Sequence, residues 1–184
     1  IAEPEKGDII VFEYPGDRDV LQPTEILNYV KRCVGEPGDT IEIINKVVYI
    51  NGEELHRPPH IQYLMPDILP NSYTRPDIFP KGSNWNKDQY GPLIIPKKGD
   101  VIQLTAENIE AYRMLINRYY KRNAVNVVED KIFIDGKPAD EFEIPQDYYF
   151  AMGDNRDDSA DSRYWGFLEG WRLEGRAVLI YFSY

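Results

Sequence analysis

Short runs of alternating apolar and polar residues dominate the first third of the chain, and this two-residue period is typical of β-strands. The pattern predicts strands over residues 8–14 and 28–34, followed by two more at Thr40–Ile44 and Val47–Ile50. An Asn-Gly dipeptide at 51–52 then predicts a tight hairpin turn, because both residues tolerate positive φ angles. The chain therefore begins with β-structure.

The middle of the chain carries different signals. Residues 56–86 hold six prolines among many polar groups, which predicts an irregular segment. A helix is predicted over residues 106–121, with Thr105 as its N-cap. Its apolar residues recur at the helical period and should form one packed face: Ile109, Tyr112, Ile116 and Tyr119.

Strand signals return in the last third of the chain. They cover residues 124–128 and Lys131–Ile134, and then Tyr148–Met152 and residues 176–182. Many short strands with turn signals between them are typical of β proteins. The predicted fold class is therefore mainly β, with one helix.

Composition narrows the possible functions. A formal net charge of -10 over 184 residues argues against nucleic-acid binding, which needs a basic face. No stretch approaches the ~20 apolar residues of a membrane-spanning helix. Cys33 is the single cysteine, which excludes an internal disulfide. The acidic balance still allows a local contact with a membrane surface.

Two groups of potential metal ligands have unsuitable spacing. His56 and His60 stand four residues apart, but two prolines between them would break the helix that brings both rings to one metal. The aspartates within residues 153–166 lack the spacing of a calcium loop, and arginines in the same segment compete for their carboxylates. We therefore expect no metal and no other cofactor.

A lysine interrupts the second predicted strand. Strand alternation places Lys31 on one face together with Tyr29 and Cys33. Between these neighbours the ammonium would be partly desolvated, which lowers the pKa of a lysine as general-base catalysis requires. The alternative is a lysine on an edge strand that points into water, and local composition by itself favours that alternative.

The most highly charged segment runs from Gly153 to Gly166, between two apolar strands. Its four aspartates and two arginines predict ion pairs that hold a loop which would otherwise be costly to order. Ser159 and Ser162 then either cap backbone groups, the usual role of serine in such a loop, or direct a hydroxyl at a reactive group. We call this segment the aspartate loop.

Three segments in this order resemble the boxes of bacterial type I signal peptidase (leader peptidase). They are KGDIIVF at 6–12, YVKRCVGEPGD at 29–39 and GDNRDDSADSRYWG at 153–166. The resemblance implies the signal-peptidase/LexA-like β-fold. It implies a catalytic β core formed by residues 1–39 and 148–184, with residues 40–147 as a larger inserted β region that carries the helix.

The resemblance also implies an activity. Members of this family are membrane-bound serine endopeptidases that use a Ser–Lys dyad, in which lysine replaces histidine as the general base. The implied partners are preprotein signal peptides with small residues before the cut, and a membrane surface reached through an N-terminal anchor. The implied location is the cytoplasmic membrane, with the catalytic region on its periplasmic or extracytoplasmic side.

Site residues follow from the same resemblance, which favours a desolvated Lys31 over an exposed one. Lys31 would be the general base, and Ser159 would orient its ammonium. The residues implied to hold the aspartate loop are Asp154, Asp161 and Arg163. The residues implied to contact substrate are Val11, Asn28, Tyr29 and Val30, with 28–30 offering edge backbone to an extended peptide.

One family feature has no counterpart in this sequence. The family's nucleophile stands in a Ser-Met-x-Pro box upstream of the first segment, and the chain contains no such box. We therefore expect a fragment that lacks the nucleophile, the oxyanion donors and the anchor, and that is inactive alone. Two alternatives are a catalytically dead relative that keeps the peptide-binding edge and a self-cleaving repressor-type Ser–Lys protease.

Overall fold

The computed structural model of the protein describes residues 3–177, and this part of the chain is mainly β, as predicted. Its strands are β1 Ile9–Glu13, β2 Asn28–Gly35, β3 Thr40–Ile44, β4 Val47–Ile50, β5 Glu53–Glu54, β6 Tyr90–Ile94, β7 Val101–Gln103, β8 Val125–Val128, β9 Lys131–Ile134, β10 Lys137–Pro138, β11 Glu141–Glu143, β12 Tyr148–Met152, β13 Leu168–Glu169 and β14 Leu173–Arg176. The helices are α1 Ile109–Tyr120 and α2 Ser162–Trp165, and a 3₁₀ turn spans Gly170–Arg172.

The largest sheet has five antiparallel strands in the order β13-β12-β2-β1-β14. Its strands come from the two ends of the described chain, whereas β3 to β11 form three smaller sheets. One buried cluster nevertheless contains Val34 and Phe150 from the large sheet together with Ile41 and Leu115 from the region between. The division into a core of 1–39 and 148–184 and an insertion of 40–147 therefore stays a prediction.

Local sequence signals predicted most of the longer strands, but they missed β6 and several strands of two or three residues. The Asn51-Gly52 turn joins β4 to β5 with φ angles of 53° and 82°, as the dipeptide predicted. Strand β6 was missed because Pro92 interrupts its alternation; it lies at a sheet edge, where proline is tolerated. The strand predicted over 176–182 falls outside the described residues except at its first two positions, where Arg176 ends β14.

The prediction of a single helix is wrong. The short helix α2 lies inside the aspartate loop, and four residues are too few for a helical period to be visible in the sequence. The predicted start of α1 is also wrong, because Asn108 rather than Thr105 occupies the N-cap position. Tyr119 does not join the packed face, since 56% of its surface is exposed.

A second, smaller buried cluster lies on one face of the large sheet. Its members are Ile10, Phe12, Cys33, Tyr149, Ala151, Trp165 and Leu168, with Tyr14, Tyr29 and Leu173 packed at its margin. Burial raises the pKa of the Cys33 thiol to about 12, so this cysteine is an inert core residue. The cluster creates an apolar face on the sheet that carries Lys31.

Two glycines with similar backbone angles test how closely β6 packs against β3. Gly91 in β6 and Gly52 in the hairpin have φ angles of 84° and 82°. A Cβ on Gly91 would lie 2.5 Å from the carbonyl oxygen of Ile41, whereas a Cβ on Gly52 would meet nothing within 4 Å. We expect Gly52→Ala to lower the free energy of unfolding by about 1 kcal/mol through backbone strain. Gly91→Ala should cost about 2 kcal/mol more because of the added clash, and equal losses in urea unfolding would contradict this packing.

Candidate active site

Lys31 lies in β2, the middle strand of the five-stranded sheet. Its register partner on β1 is Ile10, and strand alternation places it on the face that carries the smaller buried cluster. The side chain is therefore partly buried against apolar neighbours. The alternative of an exposed lysine on an edge strand is wrong.

The ammonium of Lys31 has one hydrogen-bond partner among residues 3–177. Its Nζ donates to Oγ of Ser159 over 2.8 Å, and it lies 5.6 Å from the centre of the Tyr29 ring. Burial lowers the pKa of Lys31; the Asp161 carboxylate opposes this effect and the Arg163 guanidinium adds to it. A lysine in this setting loses its proton more readily than one in water, which is the property of a general base.

A buried ion pair holds the far end of the aspartate loop. Nε and Nη2 of Arg163 donate to the Asp161 carboxylate over 2.9 and 2.7 Å, and both side chains are almost completely buried. The same carboxylate caps α2 by accepting from the Arg163 backbone, and it also accepts from the N–H of Gly153. Although burial lowers it, the pKa of Arg163 is raised overall by the paired Asp161. The pair therefore joins the two ends of the loop.

A second ion pair fastens the loop to β2. Arg32 binds Asp154 through two parallel hydrogen bonds of 2.8 and 2.6 Å, and these hydrogen bonds lower the pKa of Asp154. Arg32 follows Lys31 directly, so it projects from the opposite face of the strand. Sequence reasoning did not assign Arg32 to the site. The available signal was an arginine within an apolar strand, which needs a carboxylate partner.

The remaining charges of the loop do not pair with one another as expected. Asp157 is bound by Lys87 and accepts from the backbone of Met65 over 2.8 Å. The Arg156 guanidinium makes no ion pair in the described part of the chain. Of the two arginines within the loop, only Arg163 binds a loop aspartate.

The two serines of the loop take different positions. Ser162 is fully buried, and its Oγ accepts from the backbone N–H of Ala151 over 2.9 Å, which is the capping role. Ser159 is only half-buried and accepts from Lys31. The close approach depends on Gly153, because a Cβ there would lie 2.0 Å from the Ser159 hydroxyl oxygen and 3.5 Å from Lys31 Nζ.

The four residues implied to contact substrate lie on two faces of the sheet. Tyr29 shares the Lys31 face and stacks on Tyr14 with 4.5 Å between ring centres. Val11 and Val30 oppose each other in the β1–β2 register on the other face, where Asn28 also projects. Val30 is 59% exposed.

One side of β2 is open near Lys31. Strand β12 pairs with β2 only from Arg32 to Gly35, so residues 28–31 have no strand partner on that side within the described chain. A groove of about 770 Å³ opens beside Ser159, and its walls include Tyr14, Tyr164 and Trp165. The groove meets Lys31 only through Ser159, its hydrogen-bond partner, and no residue of β2 lines it.

Comparisons with known proteins bear on this site. The family described as signal peptidase, peptidase S26, matches residues 1–182. The chain belongs to this family. Signal peptidase I of Buchnera aphidicola subsp. Schizaphis graminum is 31% identical over 191 residues, a match that covers 98% of this chain and 54% of the relative. Signal peptidase I of Aquifex aeolicus is 29% identical over 189 residues, covering 100% of this chain and 65% of the relative.

The chain spans about half to two thirds of the length of these signal peptidase relatives. A crystal structure of a signal peptidase I from Enterococcus faecalis matches 96% of this chain and 98% of its own, with 21% identity and a TM-score of 0.45. Within residues 3–177 no helix is both long and apolar enough to cross a membrane. The same residues contain no cluster of three or more His, Cys, Asp or Glu side chains suited to a metal ion.

Replacement of Gly153 tests whether the loop positions Ser159. We expect Gly153→Ala to displace the Ser159 hydroxyl and break its hydrogen bond to Lys31, at a cost of about 1–3 kcal/mol in the free energy of unfolding. Gly175→Ala is the matched control, because a Cβ at Gly175 meets nothing within 4 Å. A crystal structure of Gly153→Ala with an unchanged Lys31–Ser159 distance would refute the prediction.

Proposed function

We propose that this chain is the catalytic region of a signal peptidase, an endopeptidase that cuts signal peptides from exported preproteins with Lys31 as general base. The observation that carries the proposal is the partly buried Lys31 ammonium, whose pKa is lowered and which is oriented by the Ser159 hydroxyl. Membership in the peptidase S26 family supplies the reaction class.

In the proposed reaction, the neutral amine of Lys31 takes the proton of the serine hydroxyl that the family carries in its Ser-Met-x-Pro box, a box that this sequence does not contain. The serine oxygen bonds to the scissile carbonyl carbon, and the resulting ammonium gives its proton to the departing amine as the peptide bond breaks, which leaves the acyl group on the serine as an ester. Lys31 then takes a proton from a water molecule that attacks the ester carbonyl, and it returns that proton to the serine oxygen as the new carboxyl terminus leaves. A lowered pKa raises the fraction of neutral amine at a given pH, which favours the first proton transfer. Ser159 acts as a positioning residue, since it contacts the lysine rather than the substrate.

The proposed electrostatic role of the loop is to keep Lys31 desolvated without giving it a carboxylate partner. A carboxylate bound to Nζ would stabilise the ammonium and raise its pKa. Asp161 is instead engaged by Arg163, so its charge is largely compensated. Asp154 is engaged by Arg32 on the opposite face of β2. Neither Asp154 nor Asp161 therefore forms a hydrogen bond with Lys31, although the Asp161 charge still acts on it from a distance.

For the substrate, we propose an extended segment that pairs with the open side of β2 at residues 28–31. Support comes from the absence of a strand partner there within residues 3–177 and from the exposure of Val30. Tyr29 on the Lys31 face, and Val30 and Val11 on the opposite face, would contact alternate side chains of this segment, for which we propose small residues before the cut. The signal peptidase I family is membrane-anchored, and we propose that this site acts on preproteins at the outer side of the cytoplasmic membrane.

Replacement of Lys31 tests the catalytic proposal. In the natural gene product reconstituted in lipid, we expect Lys31→Met to lower kcat/KM for a preprotein peptide with an Ala-x-Ala site by ~10²–10⁴-fold, the usual contribution of a general base. Lys137→Met, which removes an exposed lysine from β10, is the control and should leave the rate unchanged. Full activity of Lys31→Met would exclude the proposed role.

The pH profile tests the role of Ser159. Because the pKa of Lys31 lies below its ordinary value of 10.5, kcat/KM should rise with pH through that lowered pKa and level off before 10.5 is reached. Ser159→Ala should lower kcat about tenfold with little change in KM. It should also move the acid limb of the profile to lower pH, because the lost hydrogen bond stabilises the charged ammonium. Ser159→Thr, which keeps the hydroxyl, should restore both. An unmoved acid limb in Ser159→Ala would show a merely structural role.

A further inference from the structure

A second cavity lies behind the aspartate loop, away from Lys31. It has a volume of about 360 Å³ and is enclosed by the β3–β5 hairpins, the irregular segment that follows them, and one residue of the loop. Its walls combine apolar and cationic side chains: Lys46, Val48, Arg57, Ile61, Tyr63 and Arg156. We call it the Arg156 cavity.

The backbone of Arg156 is fixed on both sides. Its N–H donates to the carbonyl of Gln62 over 2.9 Å, and its carbonyl accepts from Nη2 of Arg163 over 2.7 Å. The residue is 3% exposed. Its guanidinium is thus held at the cavity wall by the same contacts that order the loop.

No group in the described chain satisfies this guanidinium. Nε of Arg156 is buried without a hydrogen-bond partner, and the side chain makes no ion pair within residues 3–177. Two other arginines of similar burial show the usual arrangement: Arg163 pairs with Asp161, and Arg172 pairs with Glu169 and Glu13. A buried charge without a partner is costly, so proteins seldom keep one without a use. Burial also lowers the pKa of Arg156.

The other cations of the cavity differ in how far they are neutralised. Lys46 lies 3.8 and 3.9 Å from the carboxylates of Asp157 and Asp88, so its charge is compensated. Arg57 donates to the carbonyl of Ile61 and lies 4.9 Å from the centre of the Tyr63 ring, and it makes no ion pair with a described residue. The cavity therefore presents two guanidinium groups that form no ion pair with a described residue, although the Asp161 and Asp154 carboxylates act on Arg156 from a distance.

We propose that the Arg156 cavity binds an oxyanion, a phosphate or carboxylate, that is joined to a short apolar group. A guanidinium fork matches the geometry of either oxyanion through two parallel hydrogen bonds. Val48 and Ile61 provide an apolar wall for the remainder of the ligand, and the volume suits a small molecule. Glu54 is the single carboxylate among the lining residues, and it lies in the exposed strand β5.

This site goes beyond the proposed function, because binding behind the loop does not require that the chain cleave a peptide. A binding measurement therefore tests it independently. Success or failure of the Lys31 variants in cleavage says nothing about the Arg156 cavity.

The test is calorimetric titration of the folded chain with four probes: hexyl phosphate, hexanoate, inorganic phosphate and hexanol. We expect hexyl phosphate or hexanoate to bind measurably, inorganic phosphate to bind more weakly, and hexanol not to bind, because the guanidinium needs an anion and the apolar wall needs a chain. Equal binding of hexanol would show a merely apolar cavity. Absence of binding by both anionic alkyl probes at millimolar concentration would overturn the proposal.

Variants assign the site to its residues. Arg156→Gln should weaken binding of the tighter alkyl anion by at least about tenfold, the value of a charge-assisted hydrogen bond. Arg57→Gln, at a more exposed position, should also weaken binding of this anion. It provides the test if Arg156→Gln does not fold. Arg122→Gln is the control, since Arg122 lies on the surface paired with Asp135. Unchanged affinity in the folded variants of Arg156 or Arg57 would overturn the proposal.

Discussion

The buried pair of Asp161 and Arg163 is the interaction on which the rest of the site depends. It closes the aspartate loop by binding the Gly153 backbone at one end and capping α2 at the other. Removal of either partner would leave a buried charge uncompensated, which typically costs about 3–5 kcal/mol. Ser159 lies between these two fixed ends, so its hydroxyl is placed by contacts to which it contributes little. The lysine it orients is thereby placed as well.

Strand β2 holds the loop from both of its faces. Lys31 reaches Ser159 on the apolar face, and the next residue, Arg32, reaches Asp154 on the other. This arrangement separates two tasks that conflict chemically. On one face the ion pair attaches the loop to the strand. On the other face the desolvated lysine has only a hydroxyl as its hydrogen-bond partner in the described chain, so its pKa stays below its ordinary value.

The loop also has two sides with different chemistry. Its front carries Ser159 beside an aromatic-walled groove, and its back carries Arg156 beside a cavity whose two guanidinium groups form no ion pair with a described residue. A hydrogen bond from Arg163 to the Arg156 carbonyl joins the back of the loop to the pair that fixes its front. The positions of Ser159 beside Lys31 and of Arg156 beside the Arg156 cavity thus both depend on the Asp161–Arg163 pair.

The amino-acid sequence by itself determined the mainly β class, the longer strands, the hairpin turn at Asn51 and the segments that resemble a signal peptidase. These features depend on side-chain alternation and on turn preferences within a few residues, which a local pattern expresses. Only the tertiary structure decided that Arg32 binds Asp154, that Lys87 binds Asp157 and that Arg156 forms no ion pair with any residue between 3 and 177. Such pairings join residues far apart in the chain, and which charges meet depends on how the strands pack. The periodicity of the sequence does not contain this long-range information. It therefore could not distinguish aspartates or arginines of one loop that bind different partners.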